Sequence, residues 1–126
     1  MTEARVVREI RRLCEAFRLH DWDVLVEAPN IAQLDSNGRV GACLPDERNM
    51  ACQIVVAAGR PDDEVLETCL HEVAHLAMRP TTTVFNHLMD TLGQGAWDVA
   101  KAAFEDAEER NVIRLVRAIR TLTGKA

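Results

Sequence analysis

The stretch Met50-Ala51-Cys52-Gln53-Ile54-Val55-Val56-Ala57-Ala58 constrains the fold of this chain more than any other. It is a nearly continuous apolar run with Ile54-Val55-Val56 at its centre. Such a run suits an interior strand covered on both faces, because a strand with one face in water alternates apolar and polar residues. Pro61-Asp62-Asp63-Glu64 follows as an acidic helix start, and Val65, Leu66, Cys69, Leu70, Val73, Ala74 and Ala77 then recur at three- and four-residue steps. That spacing predicts a helix over 62–78, ending before Pro80.

The strands around the central run are legible in part. From Trp22 to Glu27 the residues Trp22, Val24 and Val26 alternate with Asp23, Leu25 and Glu27, the pattern of a half-buried strand. Pro29-Asn30 breaks that strand. Ile31-Ala32-Gln33-Leu34 and Arg39–Leu44 flank Asp35-Ser36-Asn37-Gly38, whose Asn-Gly step predicts a hairpin, with Pro45 ending the second arm and 46–49 forming a polar loop. Residues 39–44, short and bounded by Gly38 and Pro45, read as an edge strand with unpaired backbone groups, to which an extended peptide or protein substrate can add by backbone pairing. A capped edge that binds nothing fits the same residues.

Helices account for the rest. Glu3 to His20 carries Val6, Val7, Ile10, Leu13, Cys14 and Phe17 on one stripe, with Thr2 available as a cap and Arg8, Arg11, Arg12, Glu15 and Arg18 on a solvated face. Thr81-Thr82-Thr83 is suited to cap a short helix over 84–92. Gly93-Gln94-Gly95 breaks the chain, and 96–122 is a long helical pattern, aliphatic at Val112, Ile113, Leu115, Val116, Ile119 and Leu122. The expected class is α+β, with an N-terminal helix, a small three- to four-stranded twisted sheet with a hairpin, a helix over 62–78 and a long C-terminal helix, in one domain over 1–126.

Composition excludes several functions. A net charge of −5 argues against a general nucleic-acid binder, which shows a basic surplus. That surplus is present only after Glu109, where Arg110, Arg114, Arg117, Arg120 and Lys125 occur with no acid. No run approaches the roughly 18 apolar residues of a membrane span. Residues 1–20 mix Arg and Glu with aliphatics rather than forming a signal peptide. The four cysteines form no Cys-x-x-Cys pair, read as small buried hydrophobes, and fit a reducing cytoplasm as the expected address.

Chemistry concentrates in the helix over 62–78. His71-Glu72-Val73-Ala74-His75 is His-Glu-x-x-His, and the four-residue step puts both imidazoles on one side of a helix, where they can close on one zinc ion. Glu72 lies beside them, placed to act on a water as general base. A catalytic zinc needs a third protein ligand. Thr81 stands where a third histidine of the longer motif would fall, and His87 is a candidate sixteen residues after His71. On the last helix the apolar face is centred about 15° from Glu108, roughly 45° from Glu105 and roughly 85° from Glu109. Glu108 therefore points to the core, where a lone carboxylate costs several kcal/mol unless paired or bound to metal. Glu109 follows if the helix is offset by one residue, and an Arg or His partner without metal is the other way to satisfy Glu108.

His71-Glu72-Val73-Ala74-His75, followed some thirty residues later by Glu108-Glu109-Arg110-Asn111-Val112-Ile113-Arg114-Leu115-Val116-Arg117-Ala118-Ile119, resembles the small gluzincin-type zinc metallopeptidases, the minigluzincins, of phage and bacterial type. The order helix, strand, hairpin, strand, motif helix and glutamate helix, with a Trp opening the first strand, extends the resemblance over most of the chain. It implies a minimal zincin-like core in which His71, His75 and Glu108 bind one zinc and Glu72 is the general base. The chain departs from the pattern in having no tyrosine, a residue such peptidases often use to stabilise the oxyanion, so His87, an arginine or zinc alone would have to serve. The expected function is zinc-dependent peptide-bond hydrolysis. The alternatives are a zinc-stabilised binding or regulatory module with little turnover, and an SprT-like protease of DNA-bound proteins with His87 as a ligand.

Overall fold

The computed structural model describes residues 1–83 and 98–123 in full and 94–97 as backbone. The elements are α1 (Glu3–Ala16), β1 (Asp23–Glu27), β2 (Gly41–Asp46), β3 (Ala51–Val56), α2 (Asp62–Ala77) and α3 (Gln94–Leu122). The fold is α+β, and the chain divides into two compact units, Met1–Ala77 and Met78–Ala126.

In the first unit the apolar run over 50–58 supplies β3, the central strand of a three-stranded sheet of order β1-β3-β2. β1 pairs with it in parallel, Asp23 opposite Ala51, and β2 in antiparallel, Gly41 opposite Val56. Cys52, Ile54 and Val56 are buried, whereas Ala51, Gln53 and Val55 on the other face are only half-buried. The run is interior by pairing but fully covered on one face only. α1 lies against β1 and α2, and α2 lies against β2 and β3. On the open face Leu25 and Leu44 are 62% and 53% exposed.

The hairpin differs from its expected position. It joins β2 to β3 through residues 47–50, with Met50 in the left-handed region at φ 49°. The Asn-Gly turn does form: Gly38 takes φ +81°, Leu34 N donates to Arg39 O at 2.6 Å, and Asp35 Oδ1 accepts from Asn37 N and Arg39 N. Residues 31–34 nevertheless form no strand, because their backbone is engaged elsewhere. Ile31 O accepts from Gly59 N at 2.8 Å and Ala32 O from Arg60 Nη1 at 3.3 Å. Pro45 does not end β2 but pairs opposite Cys52 on the sheet edge, where a missing N–H is tolerated.

α1 is capped by Thr2, whose side chain accepts from Arg5 N, and buries Val6, Ile10 and Leu13 as expected. It ends at Ala16 rather than His20. Arg18 enters the left-handed region at φ 57°, Leu19 N reaches Cys14 O at 2.9 Å and Arg18 N reaches Glu15 O at 3.0 Å. This is the double-bonded stop usually made with glycine. α2 starts on its acidic turn and is buried over most of its circumference, with Thr68, Glu72 and Leu76 joining the predicted apolar stripe.

In the second unit residues 79–83 are helical, so that helix begins before the three threonines. The remainder of the helix expected over 84–92, and His87 within it, lie outside the described residues. α3 opens at Gln94, with Gly95 inside it rather than breaking the chain. Val112 and Val116 are buried, while Leu122 at its end is 87% exposed.

Candidate metal centre

α2 brings His71, Glu72 and His75 together without help from any loop. One turn of helix separates the histidines, and their Nε2 atoms stand 3.3 Å apart with ring centroids at 5.0 Å and planes inclined at 64°. Two nitrogens each about 2.05 Å from one zinc and subtending a tetrahedral angle would lie about 3.3 Å apart. The pair is therefore spaced as zinc ligands are. The same distance lets one imidazole donate to the other, so the arrangement is satisfied with or without an ion.

Potential ligand atoms of His71, Glu72 and His75 all lie within 4.8 Å of one another, the one such group among the described residues. Their burial differs in a useful way. Both histidines are half-buried, accessible from outside, whereas Glu72 is only 6% exposed. A carboxylate withdrawn from water to that degree calls for compensating positive charge or donors, which protonated imidazole or a divalent cation would supply. Two neutral imidazoles with a carboxylate beside them are a donor set that zinc accepts readily.

The edge strand holds Glu72 in place. A Cβ on Gly41 would stand 2.6 Å from Thr68 Cγ2, 2.8 Å from Glu72 Oε2 and 3.0 Å from Glu72 Cγ. The first residue of β2 thus presses bare backbone against α2 at the motif, and any side chain there would require Thr68 or Glu72 to shift. Thr68, one turn before Glu72, donates its hydroxyl to Glu64 O at 2.9 Å and shows its methyl to Gly41. Neither residue stood out in the sequence. The available signal was the isolated glycine in a strand pattern, which marks close backbone approach.

Glu108 belongs to the second unit. It is half-buried, and its Oε1 accepts from Thr82 Oγ1 at 3.0 Å. Glu109 is exposed, as is Glu105. The burial argument that singled out Glu108 on α3 thus separates it from its neighbours. A separate cavity of about 310 Å³ opens between the end of α1 and β1, lined by Ile10, Cys14, Leu19, Trp22 and Val24 among others, and contains no motif residue.

Comparison with protein-family models, with curated proteins and with solved structures finds no match for the chain.

Proposed function

We propose that this protein is a zinc-dependent metallopeptidase in which His71 and His75 hold the metal and Glu72 is the general base. The observation that carries the reading is the 3.3 Å separation of the two Nε2 atoms on one face of α2, with the buried Glu72 carboxylate beside them. Zinc held there would supply Lewis acidity, lowering the pKa of water toward about 7 and polarising a carbonyl. Glu72 accepts the proton of the attacking water and passes it to the departing amine. The absence of a Cβ at Gly41 leaves room for its carboxylate beside Thr68 and the start of β2.

From the sequence, Glu108 is the proposed third ligand. An extended peptide is the proposed substrate form, and β2 supports it: the strand lies at the sheet edge, begins beside Glu72, and pairs with β3 on one side only among the described residues.

The test is metal content and hydrolysis measured on the same preparations. Glu72→Gln should bind as much zinc as the wild type and cleave a fluorogenic peptide library about 10²–10⁴-fold more slowly. Undiminished cleavage by that variant refutes the assignment. A zinc-loaded wild type that cleaves nothing favours the low-turnover binding module, a reading motivated by the lack of tyrosine. For the third ligand, Glu108→Ala should lose zinc while Glu109→Ala keeps it; equal zinc in the two removes Glu108 from the site.

A further inference from the structure

A second pair of reactive side chains meets away from the motif. Cys43 on β2 and Cys52 on β3 bring their sulfurs to 3.5 Å. Register explains the meeting. Cys43 lies opposite Ile54 and Cys52 opposite Pro45, so the two cysteines are diagonal neighbours on the helix-covered face of the hairpin. Gly41 is two residues before Cys43 on the same strand face. Cys43 is half-buried and Cys52 is 3% exposed, so Cys43 is the more exposed residue of the two.

The remaining thiols lie on the helices, Cys14 on α1 and Cys69 on α2. Burial pushes the Cys69 thiol up to about 12 and raises that of Cys14 as well, so both stay protonated and weakly nucleophilic at neutral pH. All four cysteines are outside disulfides in this structure.

We propose that Cys43 and Cys52 form a redox pair, which a peroxide converts reversibly into a cross-strand disulfide that braces the edge strand beside Glu72. The thiolate of Cys43, the more exposed residue, attacks one peroxide oxygen; the S–O bond forms, the O–O bond breaks, and the departing oxygen takes a proton and leaves as water. Cys52 Sγ then attacks the sulfur of the Cys43 sulfenic acid. The S–S bond forms, the S–O bond breaks, and hydroxide leaves as water with the Cys52 proton. The two thiols lose two protons and two electrons, and the peroxide, accepting both, ends as two waters. Closing the sulfurs to the 2.05 Å bond length takes a movement of roughly 1.5 Å, and because diagonal neighbours stand about 7–8 Å apart at Cα, wider than most disulfides, the two strands must draw together as the bond forms.

The experiment treats the whole chain with a small excess of hydrogen peroxide, alkylates the remaining thiols and maps the peptides without reductant. The expected result is a Cys43–Cys52 linked peptide two hydrogens lighter than its parts, separated again by dithiothreitol. The oxidised protein should melt roughly 5–10 °C higher than the reduced one. Cys14→Ser should leave the link intact and Cys43→Ser should abolish it, although the wild-type map decides the question without either variant. A Cys14–Cys52 link, a link only between molecules, or Cys43 oxidised to the sulfinic acid with no link overturns the pairing. A linked protein that melts no higher overturns the bracing. None of these outcomes depends on zinc or on hydrolysis.

Discussion

Gly41 and Glu72 set a steric condition that can be tested without knowing the reaction. Any side chain at 41 meets Glu72 and Thr68 inside normal contact distance, so Gly41→Ala should lower stability by about 1–3 kcal/mol, the cost of overpacking a site that must shift. Removing what it strikes should restore part of the loss. Chemical denaturation of Gly41→Ala, Glu72→Ala with Thr68→Ser, and the combined variant measures this. Strict additivity of the losses would mean that the residues do not touch. A second expectation concerns chemistry. If Gly41 positions the base, Gly41→Ala should retain zinc on His71 and His75 while cleavage falls, the signature of a displaced carboxylate and not of a lost ligand.

Among the elements, the most local devices are the turn at Gly38 and the end of α1. Gly38 sits at φ +81°, where a Cβ is strained whatever the space, so Gly38→Ala should cost about 1 kcal/mol. Arg18 occupies the same backbone region without being glycine. Arg18→Gly should therefore raise stability by roughly 0.5–1 kcal/mol, read as a higher denaturation midpoint at unchanged slope. Destabilisation by that change would show that the arginine side chain does more than tolerate its backbone. The sheet explains why α2 is held firmly. α2 buries residues on most of its circumference, and its motif half faces the start of an edge strand whose backbone is drawn close by the missing Cβ at Gly41.

For the whole molecule, metal binding and stability should be linked, since ligand that binds only the folded state stabilises it by mass action. Free zinc at about 100 times its dissociation constant adds about 2.7 kcal/mol, which for a chain of this length raises the melting temperature by roughly 10 °C. EDTA should reverse the shift. Calorimetry of the wild type beside His71→Ala and His75→Ala checks it, and an equal shift in those variants would place the metal elsewhere. Much of this architecture was readable from local pattern. The period of the apolar residues gave β1, α2 and most of α3, and the continuous apolar run gave β3, because burial is imposed residue by residue along an element. His71, Glu72 and His75 were legible for the same reason, since a helix alone brings residues four apart together.

What lay beyond the sequence depended on pairing between segments. The Asn-Gly signal predicted a turn and a turn formed, but the strand expected over 31–34 was lost because its carbonyls accept from the Gly59 backbone and the Arg60 side chain, and the hairpin moved to 47–50. The cysteines at 43 and 52 looked like unrelated small hydrophobes until the register made them neighbours. Gly41 gained its meaning only when β2 was laid against α2. The sequence by itself determined the helices in outline, β1 and β3, and which side chains share a helical face, because those follow from covalent spacing. Tertiary structure alone decided which backbone approaches Glu72 and which thiols meet, because loop closure and strand register join residues that no local period connects.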